Sequence, residues 1–283
     1  MKKLTNVLDL QLMANQIRQD IITMLYHAGS GHPAGSLGMA DVFTALYFHL
    51  LRHDPKKPLW KNRDRLILSN GHICPARYAA LARSGYFPVK ELLTLRKLNS
   101  RLQGHPSRVD LPALELSTAS LGQGLGVAVG MALAAKLNKQ KHTIYCLSSD
   151  GEHDEGSTWE AINAAAKWKL NNLINILDRN NIQISGYTKD VWPLEPLKEK
   201  YRSFNWKVFE INAHDFRQII STIKKAKKIN QPVCILAYNI PGKGVSFMEN
   251  KFEWHGQAPK KEQALQALLE LQRERKRLLR RKA

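Results

Sequence analysis

Thr143-Ile144-Tyr145-Cys146-Leu147-Ser148-Ser149-Asp150-Gly151, followed by Asn180-Asn181-Ile182 thirty residues after the aspartate, is the stretch on which the fold turns. Residues 143–147 form an apolar run that predicts a strand, and 173–177 form a second. Between them, 157–168 carries helical spacing with Ser157 placed to cap it. A strand, a helix and a strand in this order predict a crossover joining two parallel strands. Further strands are expected at 207–211 and 233–238, with a helix over 215–228 between them, and a short one at 65–69. Helical spacing also marks 5–27, 38–51, 76–84, 89–97 and the small-residue run 124–137. This alternation predicts an α/β fold: a mostly parallel sheet with helices on both faces. A charged helix closes the chain over 260–280, with Leu265, Leu268 and Leu271 as its apolar stripe. The expected division is a single domain over 1–260 and a basic helix or tail over 261–283.

Composition narrows the class. The chain has 283 residues, 43% hydrophobic and 24% charged, as ordinary globular domains do. Cys74, Cys146 and Cys234 are too scattered for a disulfide framework, and no pair has metal-ligand spacing, so a reducing cytoplasm is expected. The N-terminus lacks the apolar core of a signal peptide. The longest apolar stretch, 127–135, is too short to span a bilayer, so no membrane partner is expected. The net charge is +19, of which +6 lies in residues 272–283. Such a surface suits phosphorylated metabolites or an acidic partner chain. No recognised nucleic-acid motif accompanies it, so nucleic acid is not an expected ligand.

In an open parallel sheet, ligands bind beyond the carboxyl ends of the strands. There the crossover delivers Asp150 and Asn180, one carboxylate and one amide, both oxygen donors of the kind Mg²⁺ or Ca²⁺ takes. With the backbone carbonyl of Ile182 they leave three octahedral positions for phosphate oxygens and water. Gly151 lets backbone amides approach a diphosphate closely.

Ser149-Asp150-Gly151 with the downstream Asn180 resembles the thiamine-diphosphate motif, with Ser149 where the motif usually has glycine. Gly31-His32-Pro33, Ser69-Asn70-Gly71-His72, Gly104-His105-Pro106, Leu121-Gly122-Gln123-Gly124 and His255-Gly256 are similar to the motifs of transketolases, in the same order, from about residue 10 to 260. Ala119 stands where the family has glycine ahead of the Leu121–Gly124 run.

The resemblance implies transfer of a two-carbon ketol unit from a ketose phosphate to an aldose phosphate, with thiamine diphosphate and Mg²⁺ (or Ca²⁺) as cofactors. It implies that His32 and His255 contact the reacting oxygens, and that His72 and His105 contact the transferred fragment. Histidine suits proton transfer because its pKa lies near neutrality. His72, Leu121, Gly122, Gly151, Glu155 and Asn180 are implied around the cofactor. Lys243, in Gly242-Lys243-Gly244, either meets a phosphate or is a solvated loop lysine. Glu155 and Glu160 match acidic positions at the family's dimer interface.

A transketolase carries two further domains, one with the glutamate that activates the cofactor's aminopyrimidine. This chain is therefore expected to be the N-terminal subunit of a split enzyme, with a C-terminal subunit supplying the pyrimidine-binding domain in an α2β2 assembly. A split thiamine-diphosphate enzyme of specialised sugar or secondary metabolism is the alternative.

Overall fold

The computed structural model describes residues 3–118 and 120–282. Ala119, the alanine at a position where the family has glycine, lies outside the described residues. The helices are α1 (Val7–Ala28), α2 (Pro33–Gly38), α3 (Ala40–Ala45), α4 (Cys74–Arg83), α5 (Gln123–Leu137), α6 (Gly156–Lys167), α7 (Thr188–Val191), α8 (Leu197–Ser203), α9 (Phe216–Ala226) and α10 (Lys261–Arg280). The strands are β1 (Arg65–Leu68), β2 (Ile144–Ser149), β3 (Leu173–Arg179), β4 (Ile182–Gln183), β5 (Gly186–Tyr187), β6 (Lys207–Asn212) and β7 (Val233–Tyr238).

Five strands pair in the order β1-β2-β3-β7-β6, every neighbour parallel. Successive side chains leave a strand on opposite faces, and the core divides accordingly. Tyr145, Leu147, Ile174, Ile176, Val233 and Ile235 pack in one cluster with Leu10, Ile17, Ile21 and Leu25 of α1. Ile144, Cys146, Leu173, Leu177, Cys234 and Leu236 pack in a second with Leu125 and Ala128 of α5 and Ile162 and Ala165 of α6. Helices thus cover both faces, as the alternation predicts. The three cysteines are free and buried. Among the described residues no helix is long and apolar enough to cross a membrane.

The differences from the sequence reading have local causes. β2 and β3 each run two residues past their apolar stretch, through Ser148-Ser149 and Asp178-Arg179. The helix expected over 38–51 starts at Pro33, whose fixed φ suits a first helical turn, breaks at Met39 and ends in a π-helical turn, Leu46–Leu50. The segment 89–97 forms only 3-10 turns over Val89–Thr94, and Arg96 takes a left-handed φ of 59° that a helix cannot contain. Ser157 is not the cap of α6: Glu155 holds that position, and Ser157 Oγ donates to the Gly122 carbonyl at 3.1 Å. The hairpin β4-β5 has no apolar signature, so periodicity gives no sign of it.

α10 lies along α1, with Asn15 Nδ2 donating to the Leu271 carbonyl at 2.9 Å. Its buried stripe is Ala264, Ala267, Leu271 and Leu278, whereas Leu265 is 55% exposed. Leu271→Ala is expected to cost about 2–5 kcal/mol and Leu265→Ala under about 0.5 kcal/mol in urea denaturation. Equal costs would contradict this packing.

Candidate active site

The cleft lies at the carboxyl edge of the sheet. Ser149 pairs with Asp178 across β2 and β3, which sets Asp150 beside the end of β3. Asp150 is fully buried. Its Oδ1 accepts from the Gly151 amide (2.8 Å), and its Oδ2 from the Asn181 amide (2.7 Å) and Arg179 Nη1 (2.8 Å). Burial raises the Asp150 carboxyl and Arg179 opposes that shift. Asn180 Oδ1 accepts from the Ile182 amide (3.0 Å), while its Nδ2 donates to Asp178 Oδ2 (3.0 Å). Asp178, also held by Asn239, is pushed well above the carboxylate range by burial first and by Asp150 second.

A cavity of about 300 Å³ opens over these groups. Asp150, Gly151, Asn180 and Ile182 line it together with His32, His72, His105, His255 and Leu121. The four histidines come from four separate loops. Ring centroids are 5.0 Å apart for His32–His72, 5.7 Å for His32–His255, 5.2 Å for His72–His255 and 6.4 Å for His32–His105. Burial lowers all four; neighbouring imidazoles add to it at His32 and His72, and Arg96 at His32 and His105, so that His32 falls to about 4 and His72 well below its usual value. At neutral pH the cluster is therefore uncharged, and each ring can both donate and accept a hydrogen bond.

Two features fit a polar ligand. His32 Nδ1 and both side-chain polar atoms of Asn70 are buried without a partner, an uncommon state unless something else satisfies them. The Leu121–Gly124 loop is also held tightly: Gly122 has φ +81°, and a side chain at Gly124 would overlap Ser69. The oxygen donors Asp150, Asn180 and Ile182 fit a hard divalent cation.

Sequence reasoning missed Glu152. It is 1% exposed, and its carboxylate accepts from Ser69 Oγ, the Gly122 amide (2.7 Å) and the Ser149 amide (3.2 Å). One buried group thereby ties the end of β1, the Leu121–Gly124 loop and the end of β2 together. The acid after Asp150-Gly151 is visible in the sequence, but Ser69, 83 residues away, is not a readable partner. Gln183, Ile184 and Ser185, from the β4-β5 hairpin, also line the cavity.

Some expected residues lie elsewhere. Lys243 borders a different cleft, beside Arg18, Asp41 and His214, with Nζ 3.4 Å from Glu249 Oε1. Glu155 and Glu160 are exposed on and before α6, Glu155 against Gly122.

Cleft and sheet together define an α/β domain of the thiamine-diphosphate-binding class. The family model described as "Transketolase, thiamine diphosphate binding domain" matches residues 10–274, reaching into α10 and past the residue 260 expected from motifs. The chain belongs to the transketolase family, transferases of ketol groups. It is 43% identical over 268 residues to "6-deoxy-6-sulfo-D-fructose transketolase subunit SqwG" of Clostridium sp. (strain MSTE9), covering 94% of this chain and 98% of that one. It is 39% identical to one of the subunits of the apulose-4-phosphate transketolase of Actinobacillus succinogenes, over 94% of this chain and 97% of that one. Human transketolase is 37% identical over 91% of this chain, but the match spans only 41% of the human protein. The Campylobacter jejuni transketolase structure superposes with a TM-score of 0.89 and 34% identity, over 97% of this chain and 46% of that one.

His153 shares the histidine shift: it is buried, with Nδ1 2.8 Å from the Ser149 carbonyl and Nε2 2.8 Å from Tyr201 Oη, and falls to about 4. A folded pKa below the unfolded 6.5 means that His32 and His153 contribute full stability above about 6.5 and lose it as pH falls toward about 4. Ring-proton NMR titration is expected to give both midpoints near 4; values near 6.5 would contradict the cluster's burial.

Proposed function

We propose that this chain is the diphosphate-binding, N-terminal subunit of a two-chain transketolase. It would move a two-carbon ketol unit between sugar phosphates once a second subunit supplies the pyrimidine-binding domain. The observation that carries the reading is the cleft itself: four uncharged histidines lining one cavity together with Asp150, Asn180 and Ile182. The two-chain arrangement is supported by relatives named as subunits, of which this chain spans 97–98%.

Asp150, Asn180 and the Ile182 carbonyl would hold Mg²⁺ (or Ca²⁺). Leu121, Gly122 and Gly151 would bear on the diphosphate. When bound, thiamine diphosphate supplies the electron sink for breaking and remaking the carbon–carbon bond. This chain's residues do the rest. His32 and His255 would donate to and accept from the reacting hydroxyl and carbonyl oxygens; His72 and His105 would orient the two-carbon unit. Their lowered pKa values keep them uncharged at neutral pH, so each presents one donor and one acceptor nitrogen to those oxygens. Glu155 and Glu160 would face a second copy within an α2β2 assembly, and Lys243 would meet a phosphate of the cofactor. Residues 1–260 would form the cofactor domain, 261–283 a basic terminal helix, and the assembly would work in the cytoplasm.

A second reading is ketol transfer in specialised sugar metabolism. The relatives named for 6-deoxy-6-sulfofructose and apulose 4-phosphate favour it. Assaying xylulose 5-phosphate, fructose 6-phosphate and those two ketoses as donors, with the partner chain present, separates the readings. Failure of every ketose donor would sink both.

In calorimetry Asp150→Ala is expected to abolish Mg²⁺-dependent thiamine diphosphate binding; retained affinity would refute the ligand assignment. His105→Ala is expected to slow turnover about 10²–10⁴-fold while cofactor affinity changes far less. Equal losses in both would point to a structural role.

A further inference from the structure

The carboxylate expected to hold the metal already has a cation beside it. Arg179, the last residue of β3, is 7% exposed. Its guanidinium forks between Asp150 Oδ2 (Nη1, 2.8 Å) and Glu195 Oε1 (Nη2, 2.7 Å), and Nη1 also reaches Thr188 Oγ1 at 3.3 Å. The other Glu195 oxygen accepts from the Leu197 amide at 2.8 Å, so the far arm of the fork is anchored to backbone. Asp150 Oδ2 is then occupied by Arg179 and the Asn181 amide, and Oδ1, with the single Gly151 amide on it, is the less occupied oxygen.

This arrangement has an electrostatic consequence. The Asp150 charge is cancelled at contact distance inside a buried pair, where screening by water is weak. Of the neighbouring carboxyl groups, Asp178 is held by the Asn180 and Asn239 amides and pushed well above the carboxylate range by burial, and Glu195 has a side chain 62% exposed and lies on the far side of the guanidinium. The oxygen donors of the cleft therefore carry no net negative charge of their own. A small divalent cation gives up water reluctantly and needs anionic oxygens to compensate. Here a diphosphate is the group that would bring them.

We propose that Arg179 is a built-in counter-ion to Asp150 that makes divalent-cation binding conditional on the diphosphate. The metal alone is held weakly, and metal and diphosphate enter as a pair. By fixing Oδ2, Arg179 also aims Oδ1, so it is a positioning residue for the ligand. The inference rests on the cofactor reading above and says how that site is loaded.

The test uses the full chain together with its partner subunit and Mn²⁺ as the probe, with free Mn²⁺ read by electron paramagnetic resonance, with and without thiamine diphosphate. Wild type is expected to bind Mn²⁺ alone weakly, and thiamine diphosphate to tighten it by about 100-fold. Arg179→Met keeps an unbranched side chain and removes the charge; it is expected to strengthen binding of Mn²⁺ alone by about tenfold and to shrink the coupling accordingly. Adding Asp150→Asn is expected to erase that gain. Glu195→Gln, at a more exposed position, keeps Arg179 and removes its other counter-charge; it is expected to weaken binding of Mn²⁺ alone, so the idea stays testable if Arg179→Met fails to fold. Thiamine diphosphate coupling that persists with Mn²⁺-alone affinity unchanged in Arg179→Met or Glu195→Gln overturns the role of Arg179 only. No thiamine diphosphate coupling in wild type overturns the cofactor reading itself, and this inference with it.

Discussion

The pairing of β2 with β3, Ser149 opposite Asp178, is the constraint from which the cleft follows. Parallel neighbours end at the same edge of a sheet, so Asp150 and Asn180, separated in sequence by α6, arrive side by side. The pairing also sets two buried carboxyl groups close together, Asp150 and Asp178. The structure handles them differently: Arg179 compensates the first, and two amides, from Asn180 and Asn239, hold the second. Burial and the Asp150 charge push the Asp178 carboxyl well above the carboxylate range, so the two like groups are not forced to be charged side by side.

Around that edge, loops that are far apart in sequence are held by a few buried polar contacts. Glu152 gathers the ends of β1 and β2 and the Leu121–Gly124 loop. His153 bridges the Ser149 carbonyl and Tyr201, whose hydroxyl also accepts from Asn175 of β3. These contacts hold the backbone that frames the cavity, while His32 Nδ1 inside it is left without a partner. A rigid frame around under-satisfied side chains is what a site for a polar cofactor requires.

The sheet, its parallel sense and the covering helices were legible because alternating apolar runs and helical spacing report burial directly. The strand ends were not. An apolar count stops at Leu147 and Leu177, yet the strands continue through serines, an aspartate and an arginine that are buried because they build the site. The four histidines and the Asp150–Asn180 pair could be picked out by motif, and they meet in one cavity. Lys243, chosen in the same way, borders another cleft, because a lysine between two glycines carries no information about where its loop is carried. Glu152 and Arg179 were out of reach for a related reason: their importance lies in their partners. Ser69 and Gly122 for one, Asp150 and Glu195 for the other, are distances that no local pattern encodes.

Asp150, Asn180 and Ile182 are proposed to form one metal site in the cavity that the four histidines line. Anomalous diffraction from crystals grown with Mn²⁺ and thiamine diphosphate tests it most directly. The expected result is one strong manganese peak within coordinating distance of Asp150 Oδ1, the Asn180 side-chain oxygen and the Ile182 carbonyl, with diphosphate density beside it. A manganese peak elsewhere, or diphosphate bound outside this cavity, would contradict the account.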